Sequence, residues 1–163
     1  VDGILVADSH GRHDRGHAGE VPASERTEAA GARPLRVLLA DDHALVRDGL
    51  RQLLSDFPEF RVVGEAADGV SAVALAEAVH PDVIVMDVAM PRMDGVEATR
   101  RIRASWPDIT VLGLSTQERT GGPHAIEHAG AAGYFTKGDD ARHLITRLQQ
   151  LQAQLPRTDP GVA

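Results

Sequence analysis

Val83-Ile84-Val85-Met86-Asp87 is an apolar run that ends on a single carboxylate, and Pro91 closes the segment soon after. An unbroken apolar run of this length reads as a strand buried on both faces, as in a parallel sheet covered by helices. Asp87 then stands at the carboxyl end of its strand, where open α/β sheets place their ligands. The acid is therefore a candidate functional group before the rest of the chain is read.

The flanking sequence repeats the strand-then-helix pattern. Leu35 to Ala40 forms a first apolar strand. Asp41-Asp42 then opens a helix carrying Leu45, Val46, Leu50, Leu53 and Leu54 at helical spacing, and the same two acids serve as its N-cap. A second strand covers 61–66, and Asp68-Gly69 turns into a helix with Val73, Leu75, Ala76 and Val79 facing inward. The third strand, 82–86, leads to a helix over 95–104. Strands over 109–114 and 133–135 follow, with helices at 123–129 and 139–154. Five strands alternating with five helices predict a flavodoxin-like (βα)5 three-layer sandwich with a parallel sheet of order 2-1-3-4-5. That order sets the first and third strands side by side and brings Asp41, Asp42 and Asp87 together.

The totals exclude several classes. The chain has 163 residues, 42% hydrophobic but only 3% aromatic, so its core must be built from Leu, Val, Ile and Ala. A net charge of -7 argues against nonspecific binding to nucleic acid or anionic membranes. There is no cysteine, hence no disulfide framework, thiolate metal site or cysteine nucleophile. Neither a membrane-spanning run nor a signal-peptide pattern is present, and a cytoplasmic setting is expected. The first residue, Val rather than Met, suggests a piece of a longer protein.

Residues 1–34 are rich in glycine and charge and read as a flexible linker; 155–163 read as a C-terminal tail. Within the linker, Ile4-Leu5-Val6-Ala7-Asp8-Ser9-His10 weakly echoes Val37 to His43, more by chance than by duplication, and His10, His13 and His17 suit a solvated tail better than a metal site.

Three carboxylates at one sheet edge repel unless a cation lies among them, and hard oxygen donors suit Mg²⁺. Ser115 ends the fourth strand and Lys137 the fifth at the same edge. A metal, a lysine and a hydroxyl around one carboxylate are what phosphoryl transfer to that carboxylate requires. One motif competes: His124-Ala125-Ile126-Glu127-His128 fits an inverted zinc-protease signature, giving a zinc site or hydrolase as an alternative. Residues 129–163 are too short a remainder for a protease fold.

Four stretches together resemble the receiver domain of two-component response regulators, the CheY-like superfamily. They are Leu39-Ala40-Asp41-Asp42-His43, Val85 to Gly95, Leu114-Ser115-Thr116 and Ala131 to Gly138. The resemblance covers residues 35–154 and implies a phosphoacceptor, not an enzyme in itself, although the parent protein could be a histidine kinase. By that resemblance Asp87 accepts a phosphoryl group from a sensor histidine kinase. Asp42, Asp87 and the Ala89 carbonyl would bind Mg²⁺, with Asp41 acting through water. Lys137 and Ser115 would hold the phosphoryl oxygens, and Tyr134 would move inward behind Ser115 to switch the surface of the fourth helix, fifth strand and fifth helix. The Lys137-Gly138 peptide bond would be cis. The downstream partner would be an effector domain or phosphotransfer protein, a homodimer being compatible, with no nucleic acid or membrane bound by this chain.

Three parent architectures fit, a stand-alone adaptor being the third. The wording around Leu112 to Ser115 and Phe135 to Gly138 resembles receivers at the C-terminal end of hybrid sensor kinases, which is the preferred reading. Asp41-Asp42-His43, Arg47 to Leu50 and Val62 to Ala66 resemble the regulatory half of LuxR-type DNA-binding regulators, the alternative. Gly121-Gly122-Pro123 replaces the charged residues usual before the fourth helix, and Gly113 is a weak strand former inside the fourth strand.

Overall fold

A computed structural model describes residues 32–116 and 121–156. The expectations for Ile4 to Asp8, the three early histidines and most of the linker and tail lie outside those residues. The elements are β1 (Leu35–Ala40), α1 (Ala44–Ser55), β2 (Phe60–Ala66), α2 (Gly69–Val79), β3 (Val83–Asp87), α3 (Gly95–Ser105), β4 (Thr110–Ser115), α4 (Gly122–His128), β5 (Gly133–Thr136) and α5 (Ala141–Ala153). The five strands form one parallel sheet in the expected order β2-β1-β3-β4-β5.

The apolar strands feed two cores. Alternate side chains of a strand point to opposite faces. Val83 and Val85 of β3 join Val37, Leu39, Leu54, Leu112, Leu144 and Leu148 beneath α1 and α5. Ile84 and Met86 join Leu38, Ala72, Ala76, Ala98, Ile102 and Ile126 beneath α2, α3 and α4. Every β3 residue is buried, including Asp87. Truncating one of these packed aliphatics to alanine should cost about 2–5 kcal/mol.

Capping places the helix starts. Asp68 accepts from Ser71 N at 2.7 Å to open α2, Asp94 from Glu97 N at 2.8 Å to open α3, and Asp140 from Arg142 N at 2.9 Å to open α5. Two expectations about α1 need correction. His43 is its N-cap residue and makes no side-chain cap; Asp41 Oδ1 instead accepts from His43 N at 2.9 Å, one step before the helix. Leu45 does not face the core: it is 85% exposed, because its position in the first turn lies off the stripe of Leu50, Leu53 and Leu54. Gly113 has a packing reason. A Cβ there would come within 2.9 Å of Ile126 Cγ2, so the missing side chain lets α4 seat closely on β4.

Candidate functional site

Neighbouring parallel strands β1 and β3 bring Ala40 opposite Met86, so Asp41, just after β1, and Asp87, the last residue of β3, meet at one edge. Asp41 and Asp87 are buried, whereas Asp42 and His43 are exposed at the rim. One ligand atom from each of Asp41, Asp42, His43 and Asp87 lies within 4.8 Å of the others, the one such group among the described residues. Beside them, Ser115 is buried at the end of β4, and Lys137 follows β5 with its backbone N donating to Ser115 O at 2.8 Å. Asp42, Asp87, Ala89, Ser115 and Lys137 line one open cavity of about 430 Å³, joined by His43, Met90, Pro91 and Thr116.

Lys137 Nζ sits between two carboxylates, 2.6 Å from Asp41 Oδ2 and 3.2 Å from Asp87 Oδ2. The approach to Asp41 lacks hydrogen-bond alignment, so Asp41 Oδ2 has a coulombic partner but no directed donor. Burial pulls the ammonium down, but the two carboxylates outweigh it and hold Lys137 above its ordinary value. Asp87 moves the other way: burial first, then the Asp41 charge, push it up to about 6, with Lys137 and the Ala89 N–H offsetting only part. Ala89 N donates to Asp87 Oδ1 at 3.2 Å. One lysine among three acids leaves negative charge uncompensated, and the donors are mostly hard oxygens. The residues present thus fit a small divalent cation.

Two contributors had no assigned role in the sequence reading. His43 Nδ1 lies 3.2 Å from Asp41 Oδ1 and 3.1 Å from Asp42 Oδ1. Arg47 Nη1 donates to the Asp41 carbonyl, and Arg47 Nε lies 3.4 Å from Glu65, so α1 and β2 together fix the acidic corner. The signal for Arg47 was its place one turn beyond His43, on the helix face that returns to the acids.

The remaining expectations divide. Tyr134 on β5 pairs with Gly113 of β4 and is exposed, whereas Ser115, two residues further along β4, is buried. No cis peptide occurs among the described residues, so the Lys137-Gly138 bond is trans, the ordinary preference of a non-proline amide. Asp139 N closes that turn on Thr136 O at 3.0 Å. His124, Glu127 and His128 are exposed on the seven-residue α4, and their ligand atoms do not converge as those of Asp41, Asp42, His43 and Asp87 do. Among the described residues no helix is long and apolar enough to cross a membrane.

A family model described as the response regulator receiver domain matches residues 37–149. The chain belongs to that family. This receiver domain is 40% identical over 129 residues to the response regulator GacA of Pseudomonas aeruginosa, covering 79% of this chain and 60% of that protein. It is 41% identical over 118 residues to the transcriptional regulatory protein DegU of Brevibacillus brevis, covering 72% and 50%. Among solved structures, a LuxR-family two-component response regulator from Aurantimonas sp. SI85-9A1 superposes with a TM-score of 0.69 at 35% identity, covering 78% of this chain and 91% of that one. The chain spans about half to three fifths of the length of the two curated relatives.

Proposed function

We propose that this receiver domain, residues 35–154 between a linker over 1–34 and a tail over 155–163, is a phosphoacceptor that takes a phosphoryl group onto Asp87. The observation that carries this reading is the Lys137 ammonium held against both Asp41 and Asp87, with Ser115 on the same cavity. The donor is the phosphohistidine of a sensor histidine kinase. An Asp87 oxygen forms the new O–P bond as the donor's N–P bond breaks, and the donor imidazole leaves with the electron pair. Lys137 and the Ser115 hydroxyl hold charge on the transferring oxygens. Asp41, Asp42, Asp87 and the Ala89 carbonyl would hold Mg²⁺, which when bound neutralises charge on carboxylates and phosphoryl oxygens.

The message would leave through the α4-β5-α5 surface, where Tyr134 lies exposed on β5, while Ser115 is buried at the end of the neighbouring β4. Population shift between the two arrangements of that surface is the mode of output, toward an effector domain, a phosphotransfer protein or a second copy of the chain. A cytoplasmic setting follows from the kinase donor.

For the parent protein, the regulatory half of a LuxR-type regulator is supported by the likeness to GacA, DegU and a LuxR-family structure. The C-terminal receiver of a hybrid sensor kinase is supported by the wording of Leu112 to Ser115 and Phe135 to Gly138. The neighbouring coding sequence separates them: a helix-turn-helix downstream favours the first and an ATPase domain upstream the second. For the chemistry, incubation with acetyl phosphate and Mg²⁺ should add one phosphoryl group by intact mass, and chelator should abolish it. Incorporation that ignores the chelator would contradict the Mg²⁺ assignment.

A further inference from the structure

The segment from Val88 to Asp94 supplies much of the cavity wall beside Asp87 and is pinned at both ends by residues without side chains. At one end, Gly95 N donates to Val88 O at 2.9 Å, and a Cβ on Gly95 would lie 1.9 Å from Asp87 O. At the other, Gly69 N donates to Met93 O at 3.0 Å. Gly69 is the first residue of α2, so its N–H has no partner within the helix, and the Met93 carbonyl supplies one from a different part of the chain. A Cβ on Gly69 would lie 2.2 Å from Met93 O and 2.8 Å from both Met93 C and Met93 Cβ. The closest of these is backbone, which cannot rotate aside as a side chain can. Two neighbours reinforce the junction: Asp68 caps Ser71 N, and its other oxygen lies 3.9 Å from Arg92 Nε, while Arg92 takes a φ of 67° to turn the loop.

We infer that Gly69 is a positioning residue for the phosphoacceptor site, acting through Met93, which does not itself line that cavity. Its missing side chain lets the Met93 carbonyl dock on the start of α2, and this contact sets where the Ala89 and Met90 backbone stands relative to Asp87. Met90 is buried and Ala89 N is bonded to Asp87 Oδ1, so a loop pushed off α2 carries its error directly into the cavity. The inference rests on the proposed role of Asp87 only for its functional consequence; the docking of the loop is independent of it.

The test compares Gly69→Ala with Gly64→Ala in the full chain. Gly64 is the control because the nearest neighbours of its added Cβ are side-chain atoms of Leu38 and Leu75, at 3.1 Å and beyond, and not backbone of the loop. Gly69→Ala should weaken Mg²⁺ binding by calorimetry about tenfold, slow acetyl phosphate labelling at saturating Mg²⁺ by a similar factor, and shift the amide signals of Ala89 and Met90. Gly64→Ala should keep wild-type Mg²⁺ affinity and loop signals. If Gly69→Ala does not fold, Asp68→Ala adds no atoms at the junction and should weaken Mg²⁺ binding about threefold with shifts of the same loop amides. Wild-type Mg²⁺ affinity and unmoved loop signals in a folded Gly69→Ala, or in Asp68→Ala where Gly69→Ala is unfolded, overturn the inference. A wild-type chain that takes no phosphate while the loop amides still move would instead overturn the role given to Asp87.

Discussion

Lys137 Nζ lies closer to Asp41 than to Asp87, at 2.6 Å against 3.2 Å, so the single ammonium leans toward the acid that is not the proposed acceptor. Asp87 is left with the weaker compensation, in line with its pKa being pushed up to about 6. Lys137→Gln should therefore raise the Asp87 pKa further and destabilise the metal-free domain by on the order of 3 kcal/mol at pH 7. Urea unfolding with side-chain carboxyl NMR reads both. An unchanged Asp87 titration would show that the ammonium does not hold this site together.

Asp87 itself sets a pH dependence of definite sign. Its folded pKa is raised, so the stability tied to it is fully present below the unfolded value of 3.8 and is lost as pH rises through about 6. Asp87→Asn removes that loss. The metal-free variant should be the more stable protein at pH 7, by an amount on the order of 2 kcal/mol, and the difference should close by about pH 4. Mg²⁺ should narrow it at pH 7 by stabilising the wild type in preference to the variant, by about 2.7 kcal/mol at a hundred times the dissociation constant. Urea titrations across pH, with and without Mg²⁺, check both statements.

Asp82 works in the opposite direction. Its carboxylate accepts from Arg33 at 2.7 and 2.8 Å and from Arg36 N at 2.8 Å. Burial raises its pKa, but these donors outweigh burial and hold it below the ordinary value. The stability it contributes is present above the unfolded pKa of 3.8 and is lost as pH falls through the folded one. Asp82→Asn should cost about 1–2 kcal/mol at pH 7, with the deficit shrinking in acid. A deficit that is flat with pH would assign the loss to packing instead.

Gly95 admits no side chain. A Cβ added there would stand 1.9 Å from Asp87 O, so Gly95→Ala must move either the start of α3 or the end of β3. A loss above about 4 kcal/mol is expected, enough to unfold a domain of ordinary stability. Circular dichroism of the purified variant is sufficient to test it, and a native melt would contradict the close approach.

Much of this was legible from residue order because each element announces itself locally. The β3 run, Asp68 before α2, and the spacing of Leu50, Leu53 and Leu54 are short-range patterns, and the parallel order follows from the alternation of strands and helices. The edge holding Asp41, Asp42, Asp87, Ser115 and Lys137 came with that order. What local pattern could not show were relationships set by tertiary approach. The exposure of Leu45 depends on where the α1 stripe meets the sheet. The value of Gly113 depends on Ile126 descending onto it, and that of Gly69 on a carbonyl delivered by Met93. His43 and Arg47 were visible as residue types, yet their turn toward Asp41 is fixed only once α1 and β2 are packed.

Mapping the phosphoryl group after labelling with acetyl phosphate and Mg²⁺ bears most directly on the role of Asp87. Borohydride reduction of the acyl phosphate followed by peptide mass analysis should mark Asp87 alone, and Asp87→Asn should remain unlabelled. A mark on any other residue, or labelling that survives in Asp87→Asn, would contradict the assignment.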